Sequence, residues 1–301
     1  MKILITGATG LLGSNLCTIY SRDSEIVAVS KSKPTFSRCM NLQADLEKEE
    51  EMESIILSAR ADAIIHCASL TNIDYCEEHP EESFNVISNA SLRIAKAAAK
   101  AGSYLVYLSS DAVFDGEKGN YSERDAPRPL STYGKAKLSA EERISIAHHH
   151  SCIIRTNIYG WNRSDKKSIA EWMLDKLEKS EKFSGFTDIC FSPILVNNLA
   201  DAMLEVIKGK YHGILHIAGS EHISKFEYAR QIAHVFGLDA DLVWPASIES
   251  FKLLAPRGLN ISLNVKKAQG LLKTPLLNVV DGLKRFKSLR DEGYLNELKE
   301  A

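Results

Sequence analysis

Lys2–Gly13, KILITGATGLLG, is the stretch on which the fold turns. Lys2 to Thr6 is a short β-branched run that breaks at Gly7, and Leu11, Leu12, Leu16 and Ile19 then recur at helical spacing. The order is strand, glycine turn, helix. Gly7, Gly10 and Gly13 stand three apart, a pattern that lets the backbone approach a pyrophosphate, aims N–H groups at it and adds the positive end of the helix dipole. Glycines serving only a tight turn and close helix packing are the plainer alternative. Their position directly after a buried strand favours a dinucleotide site. On that reading Gly7, Thr9, Gly10, Leu11, Leu12 and Gly13 are candidate cofactor-binding residues.

The chain beyond repeats the strand–helix alternation. Glu25–Ser30 reads as a second strand, Asn41–Asp45 precedes a helical segment over Glu47–Arg60, and Ala61–Ala68 reads as a buried strand. A long helix is expected over Glu81–Ala101, then strands at Tyr104–Leu108, Cys152–Arg155 and Gly213–Ile217. Such alternation predicts an α/β, Rossmann-type doubly wound parallel sheet. Toward the C-terminus, helical patterns at Lys167–Glu178, Leu195–Lys208, Ile223–Phe236 and Asp281–Leu298 mix with loops. We therefore expect a small, discontinuous C-terminal substrate domain. Residues 1–158 plus about 195–218 would form the dinucleotide-binding domain, and about 159–194 plus 219–301 the substrate-binding domain.

The end of the second strand selects among dinucleotides. An NAD site commonly presents an acidic residue there to the ribose 2′-hydroxyl. Here Ser30, Lys31, Ser32 and Lys33 follow instead, with Arg38 beyond. A small hydroxyl and lysines suit the 2′-phosphate of NADPH, with NADH as the second choice. Asp45 suits either a helix cap or the adenine edge. Neighbouring strand ends add Leu46, Cys67, Ala68 and Ser69 to the candidate cofactor set. His66, alone in an apolar strand, reads as a hydrogen-bonded core residue.

Catalysis is expected at the carboxyl ends of the strands. Ser110 ends the Tyr104–Leu108 strand, and Pro127 and Pro129 close a polar loop before a helix that starts near Ser131. That helix carries Tyr133 and Lys137, four residues apart and so on one face. A phenol beside a buried ammonium ionises more easily than its ordinary value of about 10 allows. By itself the pair is commonplace on an amphipathic helix. After a glycine turn and a serine at a strand end, it marks a proton donor and its activator. Ser110, Tyr133 and Lys137 are thus the candidate catalytic residues, the last two also contacting cofactor. Asp111, Thr71, Asn157 and Arg257 are candidates for substrate binding, Arg257 because its planar fork suits a diphosphate.

Composition bounds the function. The 301 residues are 45% apolar and 25% charged with a formal charge of −2, enough for a large core and unsuited to nucleic-acid or membrane-surface binding. The acidic stretch Glu47–Glu53 reads as a solvated helix face. Six cysteines without a C-x-x-C pair read as free thiols in a reducing compartment. No charged leader or apolar run of about 20 residues is present, so a cytoplasmic protein is expected. His148–His150 close the Tyr133 helix and do not read as a metal site; no metal is expected.

These motifs resemble the extended short-chain dehydrogenase/reductases. TGATGLLG (Thr6–Gly13), Ser110 and YGKAK (Tyr133–Lys137) occur in that family's order. LSSDAVFDG (Leu108–Gly116), TNIDYCE (Thr71–Glu77) and PLSTYGK (Pro129–Lys135) are similar to the branch containing dTDP-4-dehydrorhamnose reductase and the regulatory subunit of methionine adenosyltransferase. FSPILVNNLAD (Phe191–Asp201) and APRGLNISL (Ala255–Leu263) are weaker echoes. The resemblance implies hydride transfer from NADPH to a nucleotide-linked 4-keto-6-deoxy sugar, with Tyr133 giving the proton, Lys137 holding the ribose and Ser110 orienting the carbonyl. It also admits a non-catalytic NADP-binding subunit, a nucleotide-sugar epimerase and a homodimer. Two departures bear on the sugar: Ala112 stands where the family has tyrosine, and Arg155–Gly160 is one residue shorter than usual, with Trp161 after the glycine.

Overall fold

A computed structural model describes all 301 residues. Seven strands build the central sheet: β1 (Lys2–Thr6), β2 (Glu25–Ser30), β3 (Cys39–Gln43), β4 (Ala63–His66), β5 (Tyr104–Leu108), β6 (Ser151–Arg155) and β7 (Gly213–His216). Their spatial order is β7-β6-β5-β4-β1-β2-β3, every neighbouring pair is parallel, and Ile5 stands beside Ala28 on one side and Ile65 on the other. Helices cover both faces, so the central strands are apolar throughout: Ile3, Leu4, Ile5, Val27, Ile64, Leu105 and Ile154 are fully buried. The strand order reverses between β1 and β4, which opens a crevice at their carboxyl ends.

A second core lies outside the sheet, where Tyr159, Trp161, Leu174, Tyr228, Leu283 and Phe286 pack together. Two pairings distant in sequence hold this lobe: Phe183–Phe186 lies parallel to Val243–Ala246, and Cys190–Phe191 antiparallel to Ile223–Ser224. Leu263, Val265, Ala268, Leu272 and Leu276 pack instead with the core of the sheet. This departs from the expectation that 219–301 belongs wholly to the substrate lobe. The cause is a return of the chain to Tyr121, whose carbonyl accepts from the Asn264 N–H at 2.7 Å.

Two expected helices are interrupted. The segment from Glu81 is a short turn, Pro80–Ser83, then a π turn over Phe84–Asn89, then a helix over Ala90–Ala101. The π turn sets Ser88 2.8 Å from Ser139 of the Tyr133 helix. The C-terminal helix breaks at Gly293, whose φ of 82° is left-handed, giving Val279–Asp291 and Tyr294–Glu300. His66 is the expected core residue, its ring bonded to Thr6 Oγ1 at 2.7 Å and Ser91 Oγ at 3.0 Å and held neutral by burial. All six cysteines are free thiols, and no helix is long and apolar enough to cross a membrane.

Candidate active site

One cleft of about 1300 Å³ opens at the carboxyl ends of the strands, and the candidate catalytic, cofactor-binding and substrate-binding residues line it, whereas Ser32, Lys33 and Arg38 beyond the second strand do not. At its floor the glycine turn begins with Gly7 at φ +70°, where a Cβ would lie 2.7 Å from the Ala68 backbone. A Cβ on Gly13 would drive into the Gly7 carbonyl. Both positions therefore need glycine to bring helix and strands together. Gly10 differs: an added Cβ would meet only the Gly7 oxygen, at 3.3 Å, and otherwise stand in the cleft. The helix that follows, Leu11–Tyr20, has no side-chain cap and no acidic residue in its first turn, so its positive end is left to the cleft.

Beside this turn Thr9 Oγ1 lies 2.7 Å from Ser30 Oγ and 3.2 Å from Ser32 Oγ. Lys31 is three-quarters exposed and pairs with Asp45 at 3.1 Å and Glu47 at 3.7 Å. Asp45 also accepts the Glu47 N–H at 3.1 Å, which closes a turn ahead of the helix; the helix itself, Glu49–Ala59, starts from Lys48 without a side-chain cap, so the cap expected of Asp45 is not formed.

The helix Thr132–Ala147 starts at Ser131, whose side chain accepts from the Gly134 N–H, and it places Tyr133 and Lys137 against β5. Lys137 Nζ donates to the Leu108 carbonyl at 2.8 Å and lies 5.9 Å from the Tyr133 ring centroid. Burial brings this ammonium down to about 8. The expectation that Lys137 lowers the phenol is not met by the protein alone. Burial dominates and pushes Tyr133 well above its ordinary value, while the nearby Ser110 hydroxyl pulls it back. The ammonium donates to the Leu108 carbonyl, and its charge does not outweigh the burial of the phenol.

Ser110 continues into a polar chain. Its hydroxyl donates to Asp111 at 3.1 Å, and the Asn157 amide donates to the other Asp111 oxygen at 2.6 Å. Burial raises Asp111 to about 6, against these bonds and the Lys225 charge. Ser109 turns the other way and donates to Glu141, which also receives the Arg155 guanidinium at 2.6 Å. Arg155 and Glu141 are both 2% exposed, so a buried ion pair braces the strand end that carries Ser110.

The other wall shows what the sequence left hidden. Arg257 lines the cleft but is engaged, donating to Asp74 at 3.0 Å and to the Ala255 carbonyl at 2.8 Å. Lys166 donates to Thr71 at 3.1 Å across the same gap. Trp161 is buried, its indole N–H bonded to the Phe286 carbonyl at 2.8 Å and its ring stacked on Phe286. Besides Phe114 and Tyr133, the aromatic residues that line the cleft are Trp172, Phe183, Phe186 and Phe251. Lys225 was also missed; it follows the helix cap Ser224 and in sequence looks like any surface lysine at a helix start.

Comparison with known proteins places this geometry. The family model described as RmlD substrate binding domain matches residues 1–289. Methionine adenosyltransferase 2 subunit beta of Xenopus laevis is 32% identical over 89% of this chain and 81% of its own length. A probable low-salt glycan biosynthesis reductase of Haloferax volcanii is 29% identical, over 90% of this chain and 92% of its own. The crystal structure of dTDP-4-dehydrorhamnose reductase from Bacillus anthracis in complex with NADP superposes with a TM-score of 0.86 at 26% identity, covering 95% of this chain and 98% of that one. With the family match running through nearly the whole chain and the fold shared, this protein belongs to the RmlD substrate binding domain family of extended short-chain dehydrogenase/reductases.

Proposed function

We propose that the protein is an NADPH-dependent reductase of a nucleotide-diphosphate-linked 4-keto-6-deoxy sugar, using Tyr133 as proton donor. The observation that carries this reading is the convergence of Ser110, Tyr133 and Lys137 on a cleft that also holds an uncapped helix start. The reductases among its relatives, one of them crystallised with NADP, support the reaction class and the cofactor.

The residues present fit a dinucleotide. The side-chain-free position at Gly10 leaves room beside the Leu11–Tyr20 helix start for a pyrophosphate. The Thr9, Ser30 and Ser32 hydroxyls and Lys31 supply donors for a ribose 2′-phosphate, and NADH would forgo the charge of Lys31. NADPH, when bound, supplies the hydride. Ser110 orients the ketone oxygen. Tyr133, kept protonated by burial, gives its proton to the forming alkoxide, and the Lys137 ammonium steadies the phenolate left behind. Asp111 and Asn157 contribute an acceptor and a donor at the sugar, and Arg257, if released from Asp74, a fork for the diphosphate.

The test is NADPH oxidation against a panel of nucleotide-linked keto sugars. Cofactor binding with turnover on none of them, together with a stable complex with a partner enzyme, would replace this reading with a subunit role such as the X. laevis relative's name describes.

Two further outcomes are expected. Gly10→Val fills the open position and should weaken NADPH binding at least tenfold, or about 1.4 kcal/mol, while the poorer helix cap lowers stability by about 1 kcal/mol or less. Titration calorimetry and a thermal melt separate the two. For pH, the useful form of Lys137 is the charged one, and burial brings its proton loss down to about 8. The value of kcat/KM should therefore fall as pH rises past about 8, and a profile flat through that range would remove Lys137 from the mechanism.

A further inference from the structure

Lys137 carries its charge into the protein without a counter-ion. The residue is 3% exposed, and no carboxylate lies within 4.0 Å of its Nζ. Glu141, the acidic residue one turn along the same helix, is bonded to Arg155 and Ser109. The other titratable groups around the ammonium are uncharged at neutral pH. Burial keeps His66 on β4 neutral and raises the thiols of Cys67, next in the chain, and Cys76, on the helix Ile73–Glu78. It raises the phenols of Tyr107 and Tyr133 in the same way. An ammonium has three donors, and the Leu108 carbonyl takes one of them at 2.8 Å.

The contact that remains is aromatic. Lys137 Nζ stands 4.9 Å from the centroid of the Tyr107 ring, closer than the 5.9 Å to Tyr133. A ring face attracts a cation within about 6 Å, most strongly where water is excluded. Tyr107 is 1% exposed and directly precedes Leu108 on β5, so two consecutive residues of one strand supply both contacts to the ammonium. The ring packs against His66, centroid to centroid 5.5 Å, and His66 is itself held by Thr6 and Ser91. The Tyr107 hydroxyl has no hydrogen-bond partner. A buried hydroxyl left unpaired costs stability, so hydrogen bonding does not account for a tyrosine here, whereas the ring beside the lysine does.

We infer that Tyr107 is a positioning residue for the proposed reaction: its ring holds the Lys137 ammonium charged and beside Tyr133, where the phenolate forms. The inference rests on the role proposed for Lys137 and deepens it. Tyr107 does not line the cleft, so it acts only through the lysine. The sign of its effect is fixed. A ring face favours the charged form and so opposes the burial that brings the ammonium down to about 8, and without the ring the proton leaves at lower pH.

The experiment replaces Tyr107 with phenylalanine, with a trifluorinated phenylalanine and with leucine. Fluorine withdraws charge from the ring face while leaving the shape nearly unchanged. The Lys137 ammonium is titrated by NMR with carbon-13 at lysine Cε, its resonance identified by its absence from Lys137→Met, in the protein alone and loaded with NADPH. Tyr107→Phe should leave the midpoint in place, the fluorinated ring should lower it by about half a pH unit, and Tyr107→Leu by about one unit. The fall of kcat/KM at high pH should move by the same amounts. One midpoint across the series, or a shift with leucine and none with the fluorinated ring, would overturn the inference; the second result would assign the effect to packing. Melting curves check the fold of each variant, and should the leucine variant not fold, the two rings of nearly equal shape decide the matter. If no keto sugar is turned over, the reductase reading falls, and the NMR titration still decides the inference.

Discussion

Replacing Tyr133 with phenylalanine is expected to lower turnover of the keto sugar by about 10²- to 10⁴-fold, the usual worth of a positioned general acid. KM and NADPH affinity should hardly move, because the ring, its packing against Cys76 and Ile87 and the Lys137 contact to Leu108 all persist. The argument does not need a lowered phenol. A group pushed above its ordinary value is fully protonated at neutral pH, and an alkoxide is a stronger base than any phenolate, so the transfer runs downhill once the alkoxide forms. What the site must supply is stabilisation of the phenolate, and Lys137 and Ser110 are the groups in place to do it. Stopped-flow and steady-state rates with the variant check this; wild-type turnover would end the assignment.

Glu141→Leu is expected to cost about 3–5 kcal/mol of stability, because it leaves a guanidinium in the core without its counter-charge. Arg155 is 2% exposed and donates to Glu141 through Nε and a terminal nitrogen; its remaining polar neighbour is His216, at 3.5 Å from Nη1. His216 is no substitute, since burial keeps it neutral. Ser109 loses its acceptor in the same step. Adding Arg155→Met should recover much of the loss, because a pair removed together leaves no orphan charge. Urea unfolding of the two variants distinguishes this from simple loss of packing, for which the second substitution would deepen the damage.

The parallel sheet was readable because strands buried on both faces must be apolar along their whole length, as in KILIT and EIVAVS. The wall of the cleft proposed for the cofactor was readable for a related reason: it is built from strand ends and one turn, so short local motifs mark it. The substrate half is not built that way. Trp172, Phe186 and Lys225 arrive through pairings such as Phe183–Phe186 with Val243–Ala246, which bring together segments sixty residues apart that carry no pattern of their own. Arg257 lines the cleft, but its partner Asp74 lay in a loop read only as a motif. The sign of the phenol shift was misread because burial depth is set by packing that no spacing of tyrosine and lysine records.

The contacts Lys166–Thr71 and Arg257–Asp74 join the two lobes across the mouth of the cleft. Both lie near solvent, and a bond of each kind contributes about 0.5–1 kcal/mol. With the Ala255 N–H that Asp74 also accepts, at 3.0 Å, the three bonds come to about 1.5–3 kcal/mol and leave roughly 1–7% of the molecules unlatched at any instant. Traffic through the mouth can then draw on a standing minority of open molecules, with no unfolding and no trigger. Added salt screens the Arg257–Asp74 half of the latch and enlarges that minority, so the rate of product departure carries an ionic-strength dependence that the chemical step does not.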